Sequence, residues 1–186
     1  MSKSPILPAI VSIGFLWLNL VGCKENESQA ARQQHLARID SLEQVLAVDP
    51  DVVKHMKTAN ALIGEIETFA KTYPSDSTAL ELLMKAGEIA RGLGKYDKAI
   101  ELLSMVWVKH PKHRLAPPAL FLQGFIYDND LSDSTLAVRH YREFLLRYPE
   151  HELAPQVQTL MEVVGKSPDE LIKSFEQRRA EQGEQE

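Results

Sequence analysis

Gly87-Glu-Ile-Ala-Arg-Gly-Leu-Gly-Lys-Tyr-Asp-Lys-Ala99-Ile-Glu-Leu-Leu103, continuing to His110-Pro111, reads as two amphipathic helices joined by a tight turn. Gly92 and Gly94 can adopt the left-handed backbone that closes the first helix near Arg91. The second starts near Tyr96 and must stop by His110, because Pro111 carries no N–H and pushes the residue before it out of the α region. Gly87 and Ala99 lack bulky side chains, so the two helices can approach closely where they cross. A pair of this size cannot bury its apolar face alone and needs neighbours like itself.

The chain supplies them. Pro74, Pro111 and Pro149 each close a helix, at steps of 37 and 38 residues. Thirteen residues after the first two prolines stand Gly87 and Gly124, and twelve before the last two stand Ala99 and Ala137. A large apolar or aromatic residue stands eight before every one: Ile66, Leu103 and Tyr141. This phased pattern resembles the tetratricopeptide repeat, a helix–turn–helix of about 34 residues with small residues at the crossing and a closing proline. Leu83, Ala86, Gly87, Ala90, Ala99, Leu103 and Pro111 fall on the family's positions in the first full repeat. In the second they are Leu120, Gln123, Gly124, Tyr127, Ala137, Tyr141 and Pro149, with one extra residue in the turn. Gln123 departs from the pattern, standing where the family has an apolar residue. The extra length after each proline is similar to the repeats of BamD-type and YbgF-type (Tol–Pal) envelope proteins. The resemblance implies an all-α, right-handed superhelix of antiparallel helix pairs: about two full repeats plus flanking helices.

Composition is that of one globular domain, with 44% hydrophobic and 25% charged residues. A net charge of −5 with no basic run argues against nucleic acid, whose binding requires neutralised phosphates. One cysteine excludes an internal disulfide. Residues 1–22 fit a secretory signal, with Lys3 ahead of an apolar run. Leu20-Val21-Gly22-Cys23 then resembles the bacterial lipobox, which implies cleavage before Cys23 and acylation of its thiol and new N-terminus. Three acyl chains exceed what stable anchoring needs. An uncleaved N-terminal anchor with an incidental cysteine is the alternative. By resemblance to bacterial sorting rules, Lys24 directs the protein to the outer membrane, on its periplasmic side. Cys23-Lys24-Glu25 also resembles a surface-export signal in some bacteria.

Residues 23–28 are expected to form the lipidated cysteine and a polar tether, and 29–74 an N-terminal helical pair that is a degenerate repeat. Its first helix carries Leu36, Ile39, Leu42 and Leu46 on one stripe; its second opens at Asp49-Pro50 as N-cap and first-turn proline. Residues 75–165 hold the repeats. The rings of Phe121, Phe125, Tyr127, Tyr141, Phe144 and Tyr148 mark the expected site of tightest packing. Residues 166–186 are a capping helix with a polar tail, announced by Ser167-Pro168-Asp169-Glu170 as a capping box.

No nucleophile elbow, phosphate loop, zinc-type spacing or dinucleotide fingerprint is present, so the chain reads as non-catalytic and without a cofactor. Asp128, Asp130 and Ser132 alternate like the first ligands of a calcium loop. Asp133 and Arg139, however, occupy the places that need glycine and glutamate, which makes a solvated turn the better reading. His110, His113, His140 and His151 lie near turns without supporting ligands, so no metal is expected. By resemblance, the partner groove falls at Met84, Glu88 and Arg91, with Glu81, and at Phe121, Phe125 and Asp128. The basic set that grips a C-terminal carboxylate in chaperone-type repeats is absent. Phe121 and Phe125 are either groove surface or core. The expected function is a lipid-anchored protein-interaction scaffold in envelope assembly or maintenance. The alternative is a surface lipoprotein that captures a peptide or glycan.

Overall fold

The computed structural model describes residues 12–48 and 54–183, with side chains from Glu27 onward save a few in the last helix. Among these residues eight α-helices follow one another, and no strand occurs: α1 (Ser12–Val48), α2 (Met56–Thr72), α3 (Ser77–Gly92), α4 (Tyr96–Trp107), α5 (Ala116–Phe125), α6 (Ser134–Arg147), α7 (Ala154–Val163) and α8 (Pro168–Gly183). A π-helical turn, Ile126–Asp130, follows α5. From α1 to α7 each helix packs on the one before and the one after it, which makes the fold a TPR-like all-α stack of helix pairs.

The α3–α4 pair shows why the opening stretch decides the architecture. Asp76 caps α3 by accepting from the Thr78 amide at 2.9 Å. At the other end Gly94 takes φ +69°, and the Lys95 amide donates to the Ala90 carbonyl at 2.9 Å. That is the left-handed closure a glycine permits, and α4 starts two residues later. Gly92 itself remains helical. Where the helices cross, a Cβ on Gly87 would lie 3.1 Å from the Leu103 side chain. The same crossing in the next pair is tighter, because a Cβ on Gly124 would lie 2.6 Å from the Tyr141 ring. Ile66, Leu103 and Tyr141 are all fully buried, as are Ala99 and Ala137.

The structure bears on three parts of the sequence reading. The polar stretch 23–28 is not a separate tether, because α1 runs through it without a break. Lys24, Glu25 and Glu27 are good helix formers, and no glycine or proline interrupts them. The Asp49-Pro50 cap lies outside the described residues, and α2 begins only at Met56, after a turn at Lys54–His55. The larger core cluster lies outside the aromatic region. The principal cluster runs from Ile39 to Ile126 and is mostly Leu, Ile and Ala. A smaller one, from Leu120 to Val157, contains the buried rings of Tyr141 and Phe144. Big rings fill that unit, and Phe121, Phe125 and Tyr127 remain half-buried.

The second repeat's extra residue has a structural counterpart. Its α5–α6 connection widens into the π-turn and returns through Ser132 at φ +53°, with the Asp133 amide donating to the Tyr127 carbonyl at 2.7 Å. Gly165, at φ +75°, closes α7. Ser167 and Glu170 then form the reciprocal capping box: the Ser167 amide donates to the Glu170 carboxylate at 2.7 Å, and the Glu170 amide to the Ser167 hydroxyl at 3.3 Å.

Candidate functional site

The helices that open the pairs, α3 and α5, carry the residues the sequence assigns to a groove. Met84 is half-buried against the principal core cluster, and one turn on, Glu88 is exposed with no ion-pair partner among the described residues. On α5, Phe121 and Phe125 are half-buried with ring centroids 6.3 Å apart. Phe121 also stacks on Tyr141 at 6.2 Å and meets Phe144 edge-on at 6.4 Å. Each ring thus has one side on the core and one side at the surface.

Two of the assigned residues are engaged within the molecule. Arg91 forks onto Asp130, Nε to Oδ2 at 2.5 Å and Nη2 to Oδ1 at 3.2 Å. Its guanidinium also lies 4.7 Å from the centre of the Phe125 ring. The bond to Asp130 holds Arg91 more firmly protonated than usual. This clamp joins α3 to the π-turn, and a cleft of about 300 Å³ lined by Glu88, Arg91, Gly92 and Asp130 opens beside it. Asp128 accepts from the Tyr141 hydroxyl at 3.3 Å. Burial first, then the Asp128 charge, push that phenol well above its ordinary range, so it stays neutral. Asp128 and Asp130 therefore belong to a bonded π-turn, in and just after which Asn129, Leu131 and Ser132 are exposed. Glu81, at the groove's edge, pairs with Arg114 in the open.

One buried network was announced by a single odd residue. Gln123 is fully buried and satisfied on three sides: its amide donates to the Ile100 carbonyl at 2.6 Å and the Ser104 hydroxyl at 2.7 Å. Its oxygen accepts from the Trp107 indole N–H at 2.7 Å. A polar residue at a family apolar position was the available signal. No pattern in the sequence pointed to the Arg91–Asp130 clamp, whose members lie 39 residues apart.

Residues 81–113 and 118–151 match the tetratricopeptide repeat. The two matched repeats take in most of α3 and α5 and all of α4 and α6, so the groove residues lie within them or at their edge. Tetratricopeptide repeats are protein-interaction modules, typically non-catalytic ones. No curated protein sequence matches the chain. Among the described residues, no cluster of three or more His, Cys, Asp or Glu is placed to hold a metal ion, and no helix is long and apolar enough to cross a membrane. The surroundings of Cys23 lie outside the described side chains.

Proposed function

We propose that the chain is a non-catalytic scaffold that holds a protein partner in the groove of its tetratricopeptide repeats. The carrying observation is that Met84, Phe121 and Phe125 are half-buried on the two helices that open the repeats, while the Glu88 carboxylate has no ion-pair partner among the described residues. Such a surface suits a helical or extended segment that presents apolar side chains and a lysine or arginine opposite Glu88. Arg91 and Asp128 shape the groove rather than contact the partner, because both are already bonded. The lipobox-like Leu20-Val21-Gly22-Cys23 supports a second half of the reading: acylated Cys23 holds the repeats at the outer membrane, facing the periplasm. The function there is envelope assembly or maintenance.

A photo-crosslinker at position 88 in native envelopes should capture a discrete partner. Replacing Phe121 and Phe125 by Ser should abolish capture while the helical stack still melts cooperatively. If that variant is unfolded at room temperature, the rings are core and the groove assignment fails. Cys23→Ser should release the protein from the membrane fraction; retention there, or a mature chain still starting at Met1, would end the anchoring half alone.

A further inference from the structure

A second concavity lies away from the groove, between α4 and α6. It has a volume of about 360 Å³ and is lined by Trp107, Tyr127, Leu136, Arg139, His140 and Glu143. That is the lower end of the range small-ligand sites occupy. Its walls are flat rings in fixed positions. The Trp107 indole is pinned through its N–H to buried Gln123 at 2.7 Å, and the Arg147 guanidinium lies 5.4 Å from the ring. Tyr127 and His140 lie against each other with centroids 4.8 Å apart. His140 Nδ1 faces the Leu136 carbonyl at 2.8 Å. A carbonyl only accepts, so Nδ1 carries the proton, and Nε2 of the neutral ring is the accepting nitrogen.

The cation and the carboxylate that line the cleft are not paired with each other. Glu143, one helical turn beyond Arg139, would be its natural partner. Glu143 instead bonds Arg147, the residue stacked on Trp107. Arg139 is exposed and has no carboxylate partner among the described residues. Burial first, then the Asp97 and Asp133 charges, raise the Tyr127 phenol, and the Arg139 charge opposes them, so Arg139 acts on the same ring. A guanidinium beside ring-lined walls matches a ligand with a flat body and a carboxylate.

We propose that this cleft binds a small ring-bearing carboxylate, its ring against Trp107 and Tyr127 and its carboxylate on Arg139. Two sources share that chemistry, sugar acids and aromatic acids. The sequence has two tryptophans, so full-length Trp17→Phe protein leaves Trp107 as the sole reporter. Its emission is followed during titration with D-glucuronate, with phenylacetate and with uncharged glucose, at constant ionic strength. A saturable change with at least one carboxylate is expected, with a Kd on the order of 1 mM for a ligand of this size. Glucose should bind at least tenfold more weakly, and the carboxylate that saturates identifies the source. Arg139→Gln should weaken binding at least tenfold, whereas Arg142→Gln, an exposed arginine on the same helix outside the cleft, should leave it unchanged. Silence toward both carboxylates up to about 50 mM, some fifty times the expected Kd, overturns the proposal. So does an unaltered response in Arg139→Gln, or an equal loss in Arg142→Gln.

Discussion

Replacing Gln123 by Leu probes the one buried polar knot in the stack. Leucine nearly matches glutamine in volume, so the change removes hydrogen bonds without opening much of a cavity. Three partners lose Gln123: the Ile100 carbonyl, the Ser104 hydroxyl and the Trp107 indole N–H. They do not suffer equally. The Ile100 carbonyl keeps its place in the α4 ladder, and Ser104, four residues on, can turn its hydroxyl onto that same carbonyl. Only the indole N–H is stranded. A buried orphan donor costs about 1–3 kcal/mol, and the added apolar burial of leucine returns part of it. The net expectation is a loss of about 1–2 kcal/mol, or about 2–8 °C in Tm for a chain of this length. Thermal and urea melts followed by circular dichroism measure it. The mechanism has a sharper signature in the pair, because Trp107→Phe removes the orphan as well. The double variant should lose at least about 1 kcal/mol less than the sum of the single losses. If Gln123→Leu melts at or above the parent temperature, or if the two losses add, the network does not stabilise the fold in this way.

Three glycines should respond to alanine in three ways, read as shifts in Tm. Gly124→Ala drives a Cβ to within 2.6 Å of the buried Tyr141 ring and should cost about 1–3 kcal/mol. Gly87→Ala meets the movable end of Leu103 at 3.1 Å, so its gain in helix propensity should bring it close to neutral. Gly64 is exposed inside α2 with nothing within 4 Å of an added Cβ, and alanine there should stabilise by about 1 kcal/mol. Asp76 has its acid strength raised chiefly by the hydrogen bond from Arg32, and also by the Thr78 amide it caps. A carboxyl whose folded pKa is depressed contributes stability above its unfolded value, about 3.9, and loses it as pH falls through the lower folded value. Asp76→Asn, which keeps the cap, should be less stable than the parent at pH 7, and the gap should close in melts below that range. Asp76→Ala should lose about 1 kcal/mol more at pH 7 through the missing cap.

Local chemistry makes much of the architecture legible in the sequence. A proline past the first turn ends a helix, and a glycine at Gly94 tolerates φ +69° where other residues strain, so turns could be placed from residue type alone. The even phase of Pro74, Pro111 and Pro149 then implied stacking, since identical short pairs can bury their faces only on one another. Helix starts were less legible where propensity had no punctuation. Lys24 to Ser28 is polar, which reads as tether or as exposed helix with equal ease, and helix continuity there follows from the absence of any breaker.

The candidate site divides along the same line. Which positions were expected to face the groove followed from the resemblance to the repeat family, and helical spacing puts residues three and four apart on one face. Whether a given side chain is free there depends on what the rest of the chain brings to it. Arg91 looked like a groove cation until the π-turn set Asp130 and Phe125 against it, and Gln123 looked misplaced until Ile100, Ser104 and Trp107 closed around it. Phe121 could have been core or surface, and it is partly both, half-buried with its ring on Tyr141 and Phe144. The sequence alone determined the repeat, its pitch and its close crossings, all of which act through neighbours along the chain. Only the tertiary structure decided which polar and aromatic groups are already satisfied, because those partners meet across helices that no local rule connects.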